Sequence, residues 1–208
     1  MSFGYLGDTS TKIKQQVKNN GVISVSEAYQ LEKAGQLGGS LELIEEQTVT
    51  SSTATIDFTS IQGEKFNVHF LTIEGFEVVS GASNITVNIR YSTDGASSYV
   101  SSGYENAYQQ GFANGTFNEL KSTSESGIRV GFTNNTEQCG GYVYLYNLNN
   151  SSKYSFNTFQ NIQENACMSF GGGVYPNAST VNAIRVYADV NIDNAVVKLY
   201  GVKQIWVT

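Results

Sequence analysis

Asn84-Ile85-Thr86-Val87-Asn88-Ile89-Arg90-Tyr91 is the stretch that decides the fold class. Ile85, Val87, Ile89 and Tyr91 point one way along an extended chain, and Asn84, Thr86, Asn88 and Arg90 point the other. A period of two with one apolar face is the mark of a strand in an antiparallel sheet, buried on one side and solvated on the other. The alternation returns at Ile184, Val186, Ala188, Val190 and Ile192, against Arg185, Tyr187, Asp189 and Asn191, and in shorter form at Ile128, Val130 and Phe132. Between Lys65 and Ile73 the apolar positions change phase, from Phe66, Val68 and Phe70 to Leu71 and Ile73, which predicts a bulge or sharp bend. Further strands are expected near 47–60, 76–80, 97–101, 141–147, 153–160, 166–171, 195–201 and 203–207. Short strands broken by Gly, Ser and Asn predict a mainly-β chain, an antiparallel β-sandwich of jelly-roll-like type, over residues 41–208.

Residues 1–40 have a different character. Asp8 can cap a short helix through Ile13 and Val17 that stops at Gly21. Ser24-Val25-Ser26-Glu27 matches a capping box, followed by Tyr29 and Leu31, with Gly35 as a left-handed stop. Gly38-Gly39-Ser40 reads as a flexible joint. Two short helices with so few apolar residues hold no core of their own. They predict a helical arm that needs a partner surface, its own sandwich, a sister chain or a larger assembly, with Ile13, Val17, Tyr29 and Leu31 as its contact residues.

Composition narrows the function. Of 208 residues, 14% are charged and 40% hydrophobic, with 13 Tyr and 11 Phe. Charge is well below the roughly 25% of an average domain. The formal net charge of −6 disfavours a nucleic-acid groove, which needs Lys and Arg against phosphates. No apolar run approaches the ~20 residues of a membrane span, and the first residues lack the basic-then-apolar pattern of a secretory signal. Cys139 and Cys167 form no ligand-spaced cluster and read as two reduced, buried thiols, with a single bridge conceivable in an oxidising medium. No metal site or cofactor is expected.

Catalytic chemistry is thinly supplied. A Ser–His–Asp arrangement has only His69 to use, and the alternation places it on the face away from Phe66, Val68 and Phe70, as a surface or interface histidine. Carboxylate pairs such as Glu74 with Glu77, or Asp57 with Glu64, imply no apolar pocket of the kind glycoside hydrolysis needs. Asp94-Gly95 reads as a left-handed turn in preference to a calcium loop.

The aromatic residues are more informative. Tyr142, Tyr144 and Tyr146 alternate with Val143 and Leu145, so one strand face is three tyrosines. Tyrosine offers wide contact area and a water-tolerant hydroxyl, which suits a subunit contact, a wet core edge or sugar stacking. A second group lies in Asp94 to Ser122, a segment with little regular pattern that reads as a long loop. Its Tyr99, Tyr104, Asn106, Tyr108 and Asn114 combine aromatic area with amide groups and are the candidate ligand- or receptor-binding residues.

A resemblance accompanies these residues. Gly7 to Thr48, GDTSTKIKQQVKNNGVISVSEAYQLEKAGQLGGSLELIEEQT, resembles the N-terminal segment of virion proteins of marine tailed bacteriophages, short fibre, decoration or tail-associated proteins of phages such as those infecting cyanobacteria. YVYLYNLNNSSKYSFNTF from Tyr142 and VNAIRVYADVNIDNAVVKLYGVKQ from Val181 are similar to their sandwich domains. The resemblance implies a non-enzymatic structural protein of the virion, assembled in the host cytoplasm. Residues 1–40 would attach it to capsid, neck or tail, and residues 41–208 would form an exterior domain. Its partners would be other virion proteins, further copies of itself as a homotrimer, and host surface glycan. The competing readings are a lectin-like carbohydrate-binding module and a polysaccharide-degrading tail enzyme.

Overall fold

The structure is a computed structural model describing residues 26, 29–30, 40–79, 81–82, 84–134, 137–164 and 167–203. The chain divides between Ser40 and Leu41 into two compact units. Ile13, Val17, Leu31 and most of the expected capping box lie outside the described residues.

The second unit holds eleven strands: β1 (Leu41–Val49), β2 (Thr53–Phe58), β3 (Val68–Val78), β4 (Ile85–Ser92), β5 (Tyr104–Phe112), β6 (Phe117–Glu125), β7 (Ile128–Thr133), β8 (Cys139–Tyr146), β9 (Ser155–Gln163), β10 (Cys167–Tyr175) and β11 (Ala183–Val202). Every pairing is antiparallel, in the order β6-β5-β10-β9-β8-β3-β11-β4-β7, with β1 and β2 both added to β11. The mainly-β antiparallel class expected from the alternation is present.

β11 explains how one sheet curls. Its first part, from Ala183 to Ala188, pairs with β4 and β2, and its second, from Ile192 onward, pairs with β3 and β1. The register slips between the two parts, and the 20-residue strand bends from one wall to the other. The curled sheet brings β7 back against β9 and β10, so it is nearly closed into a barrel. Val87, Ile89 and Tyr91 of β4, Leu71 and Ile73 of β3, Val143 and Leu145 of β8 and Val197 and Leu199 of β11 fill the interior. Removing such side chains from water is the main term favouring the fold, at about 1.5–3 kcal/mol for each one fully buried.

Three features differ from the sequence reading. The bulge in β3 is at Gly75, φ +56°, where pairing with β8 slips between Ile73 and Phe76. The phase change before it has another cause: Leu71 and Ile73 face the core, while Val68 and Phe70 lie on the opposite, half-buried face. His69 therefore shares the inner face and is fully buried, not a surface residue. Its Nε2 lies 2.7 Å from the Ile61 carbonyl and so holds the proton, which leaves Nδ1 bare and without a partner.

The segment from Asp94 to Ser122 is mostly not a loop. Residues 97–101 are irregular, but β5 and β6 then form a hairpin whose turn is Asn114-Gly115, with Gly115 at φ +85°. The inner positions of β5 alternate Tyr with Asn and Gln, and β6 is largely solvated, so neither shows an apolar period.

The inner faces of β5 and β9 carry amides for a mechanical reason. Where β7 completes the curl, side-chain amides replace the missing backbone ladder. Asn106 Nδ2 donates to the Gly127 carbonyl at 3.0 Å and its Oδ1 accepts from Arg129 N at 3.3 Å. Asn161 Oδ1 accepts from Phe132 N at 3.3 Å. Gly131 lies beside Asn161, whose amide atoms would sit 2.8 Å from any Cβ placed there. Buried backbone groups must find partners, and these amides supply them across the seam.

Candidate functional site

The five residues expected to bind a ligand do not form one surface. Tyr104 is fully buried; its hydroxyl accepts from Tyr91 N at 2.8 Å and donates to the Val100 carbonyl at 3.2 Å. Asn106 and Tyr108 belong to the seam, the latter bonded through its hydroxyl to Arg129. Tyr99 lies under Arg185, whose guanidinium carbon is 3.9 Å from the ring centroid. Asn114 is exposed in the hairpin turn, where its Oδ1 accepts from Thr116 N.

Two of the four carboxylates weighed for hydrolysis are paired with cations. Asp57 grips Arg185, and Glu74 lies 3.4 Å from Lys198. Asp94 accepts from the Ser98 hydroxyl and amide and from the Ser92 hydroxyl, which together lower its pKa to about 2. Gly95 and Ala96 follow with φ +73° and +68°, the left-handed turn expected of Asp-Gly. Among the described residues, no three His, Cys, Asp or Glu side chains are grouped to hold a metal ion.

The tyrosine strand is where the surface becomes distinctive. On β9 and β10 much of the usual polarity of a half-buried sheet is reversed, while β8 keeps Val143 and Leu145 inside and its tyrosines outside. Ser155, Asn157, Asn161, Gln163 and Ser169 point inward, while Tyr142, Phe156, Ile162 and Phe170 point outward and remain 38–58% exposed. Strand register extends this face. Tyr200 pairs with Phe70, Phe70 with Tyr144, and Tyr144 with Thr158. Ring centroids are 6.2 Å apart from Tyr200 to Phe70, 4.8 Å from Phe70 to Tyr144, 6.3 Å from Tyr144 to Tyr146 and 4.8 Å from Tyr146 to Phe156. Several of these rings therefore cover one another, as tilted and stacked aromatic pairs favour.

One opening interrupts the stripe. A groove of about 450 Å³ is lined by Tyr142, Tyr144, Thr158, Phe159, Gln160 and Phe170. Tyr142 donates its hydroxyl proton to Gln160 Oε1 at 2.8 Å, and among the described residues Gln160 Nε2 reaches only the Met168 sulfur, at 3.7 Å. The alternation of Tyr142, Tyr144 and Tyr146 revealed one wall from sequence. The other, Phe170, sits between Ser169 and three glycines and gives no periodic signal.

No family model matches the chain, and neither does any curated protein. Among solved structures, it has a likeness to a polysaccharide lyase family 18 structure, aly-SJ02 r-CATD, at 9% identity and a TM-score of 0.29, over 74% of this chain and 91% of that one. An alginate lyase from Alteromonas sp. 272 is similar at 8% identity and a TM-score of 0.28, over 74% and 90%. Neither likeness bears on what this chain binds.

Proposed function

We propose that this is a non-enzymatic structural protein of a tailed-phage virion, a fibre or decoration component whose work is binding. In this reading residues 1–40 attach it to capsid, neck or tail. Residues 41–208 are the exterior domain, a jelly-roll-like body repeated as a homotrimer and reaching host surface glycan. The observation that supports it is the reversed sheet. Amides of Asn106 and Asn161 bridge the seam, and Tyr142, Phe156, Ile162 and Phe170 are turned outward as a partly exposed apolar area that a partner would cover. Contiguous apolar surface of this kind marks an interaction face.

Deletion of residues 1–40 tests the attachment. Particles assembled with the shortened chain should lack it, with the β-domain still folded by circular dichroism. Normal incorporation of the shortened chain would end this reading.

A further inference from the structure

We propose that the groove between Tyr142 and Phe170 is a subsite for one pyranose unit of a neutral saccharide chain. The inference rests on reading residues 41–208 as an exterior binding domain and names the ligand class that domain would take.

The walls come first. Tyr142 is in register with Gln160 on β9, and Gln160 with Phe170 on β10. Tyr142 and Phe170 are thus two strand spacings apart, about 9–10 Å between backbones. Gln160 stands between them on the same face, so a flat ring would lie over Gln160 with Tyr142 and Phe170 at its sides, at van der Waals distances of about 3.5–4.0 Å. Elsewhere on the stripe the rings cover one another, as Tyr146 and Phe156 do at 4.8 Å and 20°. Phe170 has no such neighbour among the described residues and is 40% exposed. Tyr142, across the groove, is already in ring contact with Phe70 at 5.8 Å and Tyr144 at 6.1 Å, so Phe170 is the wall left open to a partner.

The floor supplies the polar half. Thr158 is exposed, and its hydroxyl has no protein partner among the described residues. Gln160 Nε2 retains an N–H, since its one contact is a weak sulfur acceptor at 3.7 Å. The Tyr142 oxygen, having donated its proton, still accepts. A pyranose has apolar C–H faces and a rim of hydroxyls, so its faces meet the two rings and its rim meets the floor. The volume of about 450 Å³ lies within the ~300–1,000 Å³ of small-ligand clefts.

Charge selects within the class. None of the six lining residues is charged, and the chain carries a net charge of −6. A uronate or a sulfated sugar would bring an anion with no cation to receive it, at an electrostatic cost. A neutral hexose meets no such cost.

The test is calorimetric titration of the purified full chain with hexasaccharides of glucose, mannose, galactose and N-acetylglucosamine, and with a mannuronate hexamer for comparison. At least one neutral hexamer should bind saturably. Phe170→Ala and Thr158→Ala should each weaken it, the former roughly tenfold, while Phe156→Ala outside the groove should leave it unchanged. Absence of binding to all four neutral hexamers, tighter binding of mannuronate, or indifference to both groove substitutions would overturn the proposal. A chain that binds no saccharide yet needs its first forty residues to enter particles overturns the groove alone. One that binds saccharide but enters particles without them overturns the virion reading alone.

Discussion

Arg185 and Asp57 meet across the β11–β2 ladder as a two-pronged pair. Nε and Nη2 of the guanidinium donate to Oδ1 and Oδ2 at 2.7 and 2.6 Å. The ring of Tyr99 closes the other side of the guanidinium. The short strand β2 pairs with β11 alone, and this fork joins the buried Ile56 and Phe58 in tying it to the barrel. Charge-assisted, bidentate bonds are the strong ones. Asp57→Ala should cost about 1.5–3 kcal/mol, read from urea unfolding. Arg185→Lys keeps the charge but loses the fork and the flat stack on Tyr99, and should fall short of the wild type as well.

Tyr104 gives the second prediction. Its hydroxyl accepts from Tyr91 N and donates to the Val100 carbonyl in a fully buried site. Tyr104→Phe leaves both groups unpaired and should destabilise by about 1–3 kcal/mol. Because the ring faces inward, affinity for any ligand of the outer face should not change. A Phe variant as stable as the wild type but defective in binding would return this residue to the ligand site.

His69 sets a pH dependence. Burial lowers its pKa from 6.5, opposed by the hydrogen bond to the Ile61 carbonyl and by the charge of Glu64. The folded state therefore prefers the neutral ring more than the unfolded chain does. Its contribution is fully present above the unfolded pKa, near 6.5, and is lost as pH falls through the lower folded value. Denaturation midpoints should decline below about pH 6.5. His69→Phe, which cannot titrate, should lack this part of the decline while being less stable at pH 7 through the orphaned Ile61 carbonyl. Parallel pH profiles for the two proteins would refute the assignment.

The two cysteines should stay apart under oxidation. Cys139 and Cys167 flank Gln163 on opposite neighbouring strands. That puts their Cα atoms about 9–10 Å apart, beyond the ~7 Å a disulfide can span. Burial raises the Cys139 thiol to about 11 and also raises Cys167. In native protein both should react slowly with a thiol reagent, and two thiols should be counted after unfolding, with or without prior exposure to oxidant.

Strands β4, β7 and β11 were legible because each has one aliphatic face, and hydrophobic alternation reports burial of that kind. The same rule failed where the interior is polar. Asn106 and Gln110 are inner residues of β5, but they look like loop residues to any reading that equates inside with apolar. Asn114-Gly115 is the hairpin signal this segment carries, with no apolar period on either side to mark its strands. For the site, the tyrosine alternation of β8 exposed one wall, while Phe170, 28 residues after Tyr142 in sequence and two strands away in the sheet, stayed invisible.

From its residues alone this protein determines a β-rich chain of low charge, with one-sided strands and a tyrosine-faced strand, because local period and composition depend only on neighbours along the chain. Which face of β8 to β10 turns outward, which amides close the seam, and that Tyr142 and Phe170 stand across one groove were decided by the tertiary structure. Those relations are set by strand order and register, and pairing between distant segments leaves no trace in any single one of them.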